Sequence, residues 1–307
     1  MAIATGFETQ LSFAEETTYK TAPTGAYQEL NQKSSSLSLA FENVSVDRIR
    51  GDRNAEDILK GTRSVSGEIT CDLSPDSAHN ELIAAVFGDS DDIDESGSGS
   101  TYTIGSTQRH FTFVNQVMTG RFHEFVGCQI NAFSLSVGTS GTIETSFTLM
   151  GANMTEETSH VGSSVAPPSA AEIIPFQASD AAVTFNGSGN TVCTEFSLSI
   201  DNGMSAMYVV GDDTPIEGHL GKSAVTGSMT VLFASNAEYT RFVNNNKTAI
   251  VLTIGTGGTG ISFQMPACAL TAGTVEIASD GAVTASIEYT ALFNSGISSS
   301  IRFDNHL

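Results

Sequence analysis

Three features of this sequence could support chemistry: its histidines, one glycine-rich run and one acidic run. The histidines form no HxH or HExxH pair, so their spacing predicts no metal site; they are His79, His110, His123, His160, His219 and His306. Residues 255–260 (GTGGTG) match the GxGxxG pattern of dinucleotide sites. That site requires a helix after the glycines, whereas a strand-like ISFQM follows here, so we interpret the run as a hairpin turn.

The acidic run occupies residues 88–101 and contains Asp89, Asp91, Asp92, Asp94 and Glu95. Carboxylates at this density could bind Ca²⁺, but the glycine and glutamate positions of an EF-hand loop are not matched. We therefore interpret the run as a solvated acidic loop. Because no GxSxG elbow, catalytic triad or metal-ligand spacing occurs, the sequence predicts neither an enzyme nor a cofactor.

The charge of the chain restricts its partners. Thirty-four acidic and 13 basic residues give a net charge of −21. Ordinary nucleic-acid binding needs a basic surface that displaces counterions, so this composition argues against it. The charge fits either simple solubility or a surface that repels a polyanion, and composition leaves both interpretations open.

Targeting and redox signals are absent from the sequence pattern. The first residues, MAIATGFETQ, lack the basic start and apolar core of a secretory signal, and no apolar run is long enough to span a membrane. The four cysteines, at positions 71, 128, 193 and 268, form no CxxC pair. We therefore expect buried thiols in a reducing cytosol rather than disulfides.

The same pattern of residues occurs twice along the chain. Leu37, Leu39, Phe41 and Asn43 align with Phe196, Leu198, Ile200 and Asn202 at an offset of 159 residues. The glycines at 51, 61 and 67 align with those at 211, 221 and 227 at an offset of 160, and residues 128–149 align with 268–289 at 140. The drop from 160 to 140 indicates about twenty extra residues in the first copy, where the acidic run lies.

Hydrophobic alternation predicts the same elements in each copy: a strand, a long charged loop, a second strand and a short amphipathic helix. In the first copy the strands are 36–44 and 65–73, the loop is 46–63, and the helix has Ser74 as its N-cap and ends at Gly88. The second helix is predicted at 236–246. The fold class is therefore mainly β in two similar domains, 1–160 with an acidic insertion at about 88–110, and 176–307, joined by a linker at 161–175.

The opening of the chain, residues 6–23 (GFETQLSFAEETTYKTAP), resembles the start of tail tube proteins from phages with long non-contractile tails. Residues 16–21 match a Glu-Thr-x-Tyr-Gly-Thr type of motif, except that Lys20 stands where the family usually has glycine. The order of the elements that follow extends the resemblance over most of the first half. It reaches the second half only through the internal repeat.

The resemblance implies a fold and an assembly. Each domain is expected to have two packed antiparallel sheets in a sandwich or barrel-like arrangement, with one flanking short α-helix and a long loop. Three chains, each supplying two of six quasi-equivalent domains, are expected to form a homotrimeric ring with pseudo-sixfold symmetry, and the rings to stack into a hollow tube for DNA ejection. The implied partners are further copies of the chain, tail tip and terminator proteins, and tape measure protein or DNA in the lumen without specific binding. No membrane is implied, and the location is the virion tail after synthesis in the host cytoplasm.

Two groups of residues are candidates for roles in such a tube. The loop of 46–63 concentrates charges of both signs, so we expect this loop and its counterpart at 204–222 to make contacts between rings. The candidate residues are Arg48, Arg50, Arg53, Glu56 and Asp57. The polar faces of the alternating strands are expected to line the lumen and to repel DNA through Glu68, Asp72 and Glu144. These carboxylates could instead face the outer solvent, and the sequence leaves that alternative open.

Two other functions fit a β-rich chain. One is a glycan-binding or adhesin-type β-sandwich of a virion, but such sites usually stack sugars on aromatic rings, and the chain has no Trp and six Tyr. The other is a hydrolase on a β scaffold, which the lack of a triad or metal spacing disfavours. Electron microscopy separates the three functions, because a tube protein is expected to form rings or tubes.

Overall fold

The structure is a computed structural model that describes residues 6–46, 48, 51, 54, 56–88, 100–168, 174–189, 192–233, 243–244, 246–255, 260–276 and 282–305. Within these ranges the fold is mainly β, as predicted, with one α-helix, α1 (Ser77–Phe87). The strands of the first half are β1 (Gln10–Glu15), β2 (Ala26–Leu30), β3 (Gln32–Ser35), β4 (Ser38–Val46), β5 (Asp57–Asp72), β6 (Ser100–Thr103), β7 (Phe111–Met118), β8 (Arg121–Val137), β9 (Glu144–Gly151), β10 (Asn153–Glu157) and β11 (Ser164–Ala166). Those of the second half are β12 (Ala181–Phe185), β13 (Ser188–Gly189), β14 (Cys193–Asp201), β15 (Ser205–Met207), β16 (Glu217–His219), β17 (Ala224–Leu232), β18 (Thr248–Ile254), β19 (Ile261–Glu276), β20 (Thr284–Ala291) and β21 (Arg302–Asn305).

The first half folds as two sheets that share the long strand β8. One sheet has the order β11-β2-β1-β7-β8-β10 and uses the first part of β8. The other has the order β4-β5-β9-β8 and uses the second part, with β3 pairing to β5 beside β4. Their apolar faces pack together around buried phenylalanines that include Phe13, Phe113, Phe133 and Phe147. This is the sandwich or barrel-like arrangement that the resemblance implies.

The second half repeats this arrangement around the long strand β19. One sheet has the order β13-β12-β18-β19-β21-β6, and its last strand, β6, comes from the first half. The other sheet has the order β14-β17-β20-β19. A separate ribbon, β15 with β16, lies in the segment between β14 and β17.

Strands β8 and β14 join the two halves. They pair antiparallel, with Ala132 opposite Asp201 and Val137 opposite Phe196. One sheet therefore runs through both halves in the order β4-β5-β9-β8-β14-β17-β20-β19, and we call it the shared sheet. Because side chains alternate along each strand, one face of this sheet is buried in the two cores and the other faces outward.

The two halves of the shared sheet use matching strand registers. Gly67 lies opposite Leu149 between β5 and β9, and Gly227 lies opposite Tyr289 between β17 and β20. The register also shifts at matching places, between residues 130 and 132 of β8 and between 270 and 272 of β19. Adding 160 to the position in β5, or 140 to the positions in β8 and β9, gives the corresponding positions in the second half. These are the offsets read from the sequence.

The correspondence of β4 with β14 differs from the sequence alignment by two residues. Ser38 lies opposite Ser66, whereas Ser199 lies opposite Thr226. Since Ser66 and Thr226 are 160 residues apart, Ser38 corresponds to Ser199, at an offset of 161 rather than 159. A shift of two residues keeps every side chain on the same face of the sheet, so hydrophobic alternation could not detect it.

Helix α1 begins two residues later than predicted. Its N-cap is Asp76, whose Oδ1 accepts from the backbone N of His79 at 2.6 Å, while Ser74 Oγ donates to Oδ2 at 3.0 Å. A carboxylate at the N-cap is favoured because it also interacts with the positive end of the helix dipole. Gly88 ends the helix in a left-handed conformation with φ 63°, as predicted. The helix predicted at 236–246 lies mostly outside the described residues.

The charged loop predicted at 46–63 is shorter than expected. Strand β4 extends to Val46 and β5 begins at Asp57, so residues 57–63 belong to a strand. The two strands form a long hairpin whose distal apolar side chains, Val44, Ile58 and Leu59, are exposed by 47%, 63% and 52%. The prediction was wrong here because frequent charges hide the alternation of a strand that is exposed on both faces.

Candidate functional site

The outward face of the shared sheet carries short polar side chains. Burial of Phe133 and Leu135 leaves the intervening Ser134 exposed, and each strand of the sheet repeats this alternation. On β5, β8, β9, β14, β17 and β20 the outward positions are mostly Ser, Thr and Ala, together with six acidic residues, Glu68, Asp72, Glu144, Glu195, Asp201 and Glu288. In the described segments 66–72, 132–136, 144–150, 195–201, 224–230 and 284–290, this face carries no Lys or Arg.

Hydroxyl groups of this face bond to one another across the strands. Ser134 Oγ lies 2.8 Å from Ser146 Oγ, and Ser197 Oγ lies 2.8 Å from Ser228 Oγ. These bonds fix short side chains close to the backbone, so the face is low in relief as well as polar. Such a surface offers hydroxyls and carboxylates to water and few groups that could hold a polyanion.

One cation, Lys33 of β3, reaches two of the six carboxylates. Its Nζ lies 2.7 Å from Asp72 Oδ1 and 3.5 Å from Glu144 Oε1. The hydrogen bond to Asp72 is the main reason why the pKa of Lys33 is raised. Burial by itself raises the pKa of Asp72, but the hydrogen bonds from Lys33 and Thr142 and the Lys33 charge outweigh it, so the pKa of Asp72 is lowered. This edge of the face is therefore a paired acidic and basic cluster.

The segment between β14 and β17, residues 202–223, packs on the first half. Arg63 of β5 contacts Asp213 twice, through Nη2 to Oδ1 at 3.1 Å and through its backbone N to the carbonyl O at 2.8 Å. Lys20 Nζ donates to Thr214 Oγ1 at 2.8 Å, and the backbone N of Gly218 donates to Gln129 Oε1 at 3.0 Å. These contacts hold the two halves together beyond the end of the β8–β14 ladder.

Buried polar contacts reinforce the same boundary. Asn202, 7% exposed, donates from Nδ2 to the carbonyl O of Val86 at 2.8 Å and so satisfies a carbonyl in the last turn of α1. Strand β6 pairs with β21, and the 2% exposed Asp304 accepts from Thr101 Oγ1 at 2.7 Å. The segment that follows the acidic run is therefore a strand of the second-half sheet that contains β12, β18, β19 and β21.

Several other kinds of site can be assessed in the part of the chain that the structure describes. There, no group of three His, Cys, Asp or Glu side chains could hold a metal ion. No helix in those ranges is long and apolar enough to cross a bilayer. The four cysteines are free thiols, of which Cys193 is half-buried and the other three are buried.

A comparison with protein families identifies the chain. The sequence profile of the family described as phage tail tube protein matches residues 6–291. The chain belongs to the phage tail tube family. Family membership makes it a structural component of a virion tail and confirms the resemblance seen at its N-terminus. No curated protein matches the chain.

The N-terminal motif of this tail tube chain has a structural role at the boundary between the halves. The 6% exposed Glu16 accepts from the backbone N of Gly127 at 2.7 Å and from the backbone N of Lys20 at 2.8 Å. Lys20 has φ 63°, the left-handed region that favours the glycine usual in the family. Its side chain contacts Thr214 of the second half, so the departure from glycine adds a contact between the halves at the cost of backbone strain.

The candidate residues of the tail tube chain divide between two places. Glu68, Asp72 and Glu144 all lie on the outward face of the shared sheet, where Asp72 is directly opposite Glu144. At the end of the hairpin, Arg48 Nη1 lies 3.5 Å from Glu56 Oε1, and Asp57 is the first residue of β5. The candidates Arg50 and Arg53 lie outside the described residues. The two groups are therefore separate surfaces rather than one site.

Several residues of these surfaces were missed from the sequence. Glu195 and Asp201 of β14 and Glu288 of β20 share the acidic face, and their alternation with Ser and Thr is a signal that could have identified them. The contacts of Lys33 and Asn202 carry no such signal, because each depends on which strand or helix lies beside it.

Proposed function

We propose that three copies of this chain form a ring with pseudo-sixfold symmetry, that the rings stack into the tail tube through which the genome is ejected, and that the outward face of the shared sheet lines the lumen. The observation that carries this proposal is the shared sheet itself. A single sheet crosses both halves with one face buried and the other acidic and rich in hydroxyls. A tube wall needs such a surface, continuous and polar over its whole width.

The matching registers of the two halves support the count of three chains. If the halves derive from a duplication, each chain supplies two equivalent domains, and a six-position ring closes with three chains. Such a ring has two kinds of boundary between neighbouring domains. The β8–β14 pairing forms the boundary within each chain, and contacts between chains form the other. Native mass spectrometry of isolated rings tests this count, and a mass of six full chains would contradict it.

The charge of the face suits a conduit for DNA. Lysine or arginine on the wall would neutralise phosphates, release counterions and hold the duplex at each contact. Carboxylates repel the duplex instead, although salt limits this repulsion to roughly 10 Å at about 0.1 M ionic strength. A wall of Ser, Thr, Asp and Glu therefore keeps DNA mobile, and tape measure protein or DNA would occupy the lumen without specific binding.

Electron microscopy of the concentrated, purified chain tests the assembly. We expect rings or tubes with a central channel, and cryo-EM averages with three-fold rather than true six-fold symmetry. A chain that stays a monomer at high concentration, and does not enter tails when it is supplied to an infected host, would refute the proposal.

A charge reversal tests the position of the wall. Glu68→Lys with Glu195→Lys changes the outward face in both halves and avoids Asp72, which is engaged with Lys33. We expect tubes that assemble but eject the genome more slowly. The matched control is Glu156→Lys with Glu157→Lys on β10, two exposed residues of the other sheet with the same charge change. Equal ejection rates for the two variants would remove these glutamates from the lumen.

We also propose that the hairpin end, with Arg48, Arg50, Arg53, Glu56 and Asp57, contacts the adjacent ring. Each exposed ion pair contributes at most about 1 kcal/mol, so the contact depends on repetition around the ring. Deletion of residues 50–56 is expected to leave a folded chain that forms rings but does not stack. Normal tubes from this deletion would refute the assignment.

The remaining partners follow from the position of such a tube in a virion. Its two ends are expected to bind tail tip and terminator proteins, and no membrane is involved. The chain is expected to be made in the host cytoplasm and to join the tail there. Co-purification of the chain with tail tip and terminator proteins from virions tests these contacts.

A further inference from the structure

We propose that Asn186 is a site of spontaneous deamidation through a succinimide, and that the fold directs this reaction to Asn186 rather than to Asn202. The sequence contains two Asn-Gly pairs, Asn186-Gly187 and Asn202-Gly203. Asn-Gly is the dipeptide in which this reaction is fastest, because glycine has no side chain to hinder the attack of its own backbone nitrogen. The inference concerns the single chain and does not rest on the proposed ring.

The reaction joins groups of two neighbouring residues. The backbone nitrogen of the glycine attacks the side-chain carbon Cγ of the asparagine, and the new N–C bond closes the succinimide ring. The amide Nδ2 leaves as ammonia and takes with it the proton that the backbone nitrogen gives up. Water then opens the ring at either of its two carbonyl groups, which yields aspartate or isoaspartate. A reactive site therefore needs a free backbone nitrogen, an accessible Cγ and a leaving group that is not held.

Asn186 and Gly187 form the two-residue turn between β12 and β13. The strands pair up to Phe185 and Ser188, and the two turn residues have positive φ angles of 54° and 79°. These angles are typical of a type I′ turn, for which Asn-Gly is preferred. Both residues are exposed, and in the described part of the chain the Gly187 nitrogen donates to no group. The attacking nitrogen is therefore free, and the turn is open to water.

A backbone N–H of β18 contacts the side chain of Asn186. The ladder of β18 with β19 shifts its register between Thr248 and Ile250, so Ala249 is left out of that ladder. The Ala249 nitrogen donates to Asn186 Oδ1 at 3.4 Å. This oxygen becomes negatively charged when the Gly187 nitrogen adds to Cγ, and a backbone N–H beside it stabilises that charge. The irregularity in β18 thus favours the reaction that the turn permits.

The same dipeptide at Asn202 is held in an unreactive form. Asn202 is 7% exposed, and its Nδ2, which would be the leaving group, donates to the carbonyl O of Val86 at 2.8 Å. The Gly203 nitrogen, which would be the nucleophile, donates to Asp201 Oδ1 at 2.8 Å. Both bonds must break before the attack, so Asn202 reacts only when the boundary between the halves opens locally.

The products change the turn in two ways. Aspartate adds one negative charge to the chain, and isoaspartate in addition lengthens the backbone between Asn186 and Gly187 by one carbon atom. A two-residue turn fixes the register of its hairpin, so the longer backbone no longer fits the pairing of β12 with β13. We therefore expect isoaspartate to separate β13 from β12 at the edge of their sheet. The shared sheet contains neither strand and should keep its geometry.

Peptide mapping by mass spectrometry tests the proposal on the purified full chain. The chain is stored in mildly alkaline buffer, either folded or in urea, and aspartate and isoaspartate are measured at both Asn-Gly pairs. In the folded chain we expect Asn186 to react at least about tenfold faster than Asn202, a ratio equivalent to about 1.4 kcal/mol. In urea the two rates should converge, because the unfolded chain lacks the bonds that protect Asn202.

Asn186→Gln is the matched control, because the longer side chain would have to close a larger ring, and its peptide should stay unmodified. A reaction at Asn186 that is as slow in the folded chain as that at Asn202 would overturn the proposal, and so would a faster reaction at Asn202. A tenfold difference that persists in urea would also overturn it, because the local sequence rather than the fold would then direct the reaction.

Hydrogen exchange measures the effect of the product on the hairpin. In chains enriched in isoaspartate, the peptide covering residues 181–189 should exchange faster, whereas the peptide covering β14 should be unchanged. Equal exchange of residues 181–189 before and after storage would overturn the expected separation of β13 from β12.

Discussion

The segment after β14 and the hairpin end after β4 occupy equivalent places in the two halves, but their surroundings differ. Residues 202–223 lie against the first half and bond to Lys20, Arg63 and Gln129. The hairpin end exposes the apolar side chains of Val44, Ile58 and Leu59. The difference indicates that a pair of strands such as β4 and β5, or β14 and β17, needs an adjacent domain against which its connecting segment can pack.

The largest effect is expected when one glycine from each half is replaced by alanine. A Cβ on Gly221 would lie 2.3 Å from the carbonyl O of Gly203, whereas a Cβ on Gly61 would lie 3.2 Å from the carbonyl O of Glu42. Gly221→Ala should therefore destabilise the subunit by about 1–3 kcal/mol, the usual cost of overpacking. Gly61→Ala should cost much less, because its neighbour has to move by only a few tenths of an ångström. Thermal unfolding of unassembled subunits measures both, and equal losses would contradict the difference in packing.

A buried hydrogen bond gives the next largest effect. Asn202→Ala leaves the carbonyl of Val86 without its side-chain donor and should cost about 1–3 kcal/mol in the free energy of unfolding. The matched control is Asn43→Ala, which changes the residue that the sequence alignment pairs with Asn202. Asn43 is exposed, so its loss should stay within about 0.5 kcal/mol. Urea denaturation measures the free energy of unfolding of both variants. If Asn43→Ala lowered it as much as Asn202→Ala, the buried hydrogen bond of Asn202 would not account for the loss.

Substitutions at Lys20 distinguish the effect of backbone strain from the effect of the contact between the halves. Lys20→Ala loses the bond to Thr214 and keeps the left-handed backbone, whereas Lys20→Gly loses the bond but relieves about 1 kcal/mol of strain. We therefore expect the alanine variant to be less stable than the glycine variant by about 1 kcal/mol. The denaturant midpoint at unchanged m-value reports this order. The reverse order would mean that position 20 is unstrained.

The smallest effect concerns pH at the edge of the acidic face. Because the pKa of Asp72 is lowered in the folded chain, its contribution to stability is present above the unfolded pKa of about 3.8 and is lost as the pH falls through the folded pKa. Lys33→Met should lower stability at pH 7 by at most about 1 kcal/mol and should have little effect at pH values below the folded pKa. Lys247→Met, a change at another exposed lysine, is the control. A loss for Lys33→Met that persists unchanged in acid would exclude the ion pair as its cause.

Much of the shared sheet could be predicted from alternation, and its strand neighbours could not. The pattern of Phe196, Leu198 and Ile200 identifies a strand with one buried face. The same pattern would result whether β14 paired with β8 or formed an open edge, because the apolar face does not determine which strand lies beside it. The boundary between the halves was therefore absent from the sequence prediction, together with the contacts of Lys33 and Asn202.

The candidate site was predicted in part for the same reason. Glu68, Asp72 and Glu144 were placed on one face by alternation, and the register puts them on the outward side of one sheet. Their neighbours Glu195 and Glu288 belong to that face only because the two halves join, which no local pattern specifies. The ion pair of Asp72 with Lys33 was hidden in another way, since Lys33 lies in a short strand at a register shift.

The pairing of β6 with β21 has a consequence for the order in which the chain can fold during synthesis. Thr103 lies opposite Arg302, so β6 waits for a partner that is made about 200 residues later. At typical rates of about 5–20 residues per second, this delay is roughly 10–40 s. Until β21 is made, β6 has no partner among the described strands, so a ribosome-bound first half cannot become a finished building block. The position of one short strand thus links readiness for assembly to near-completion of translation.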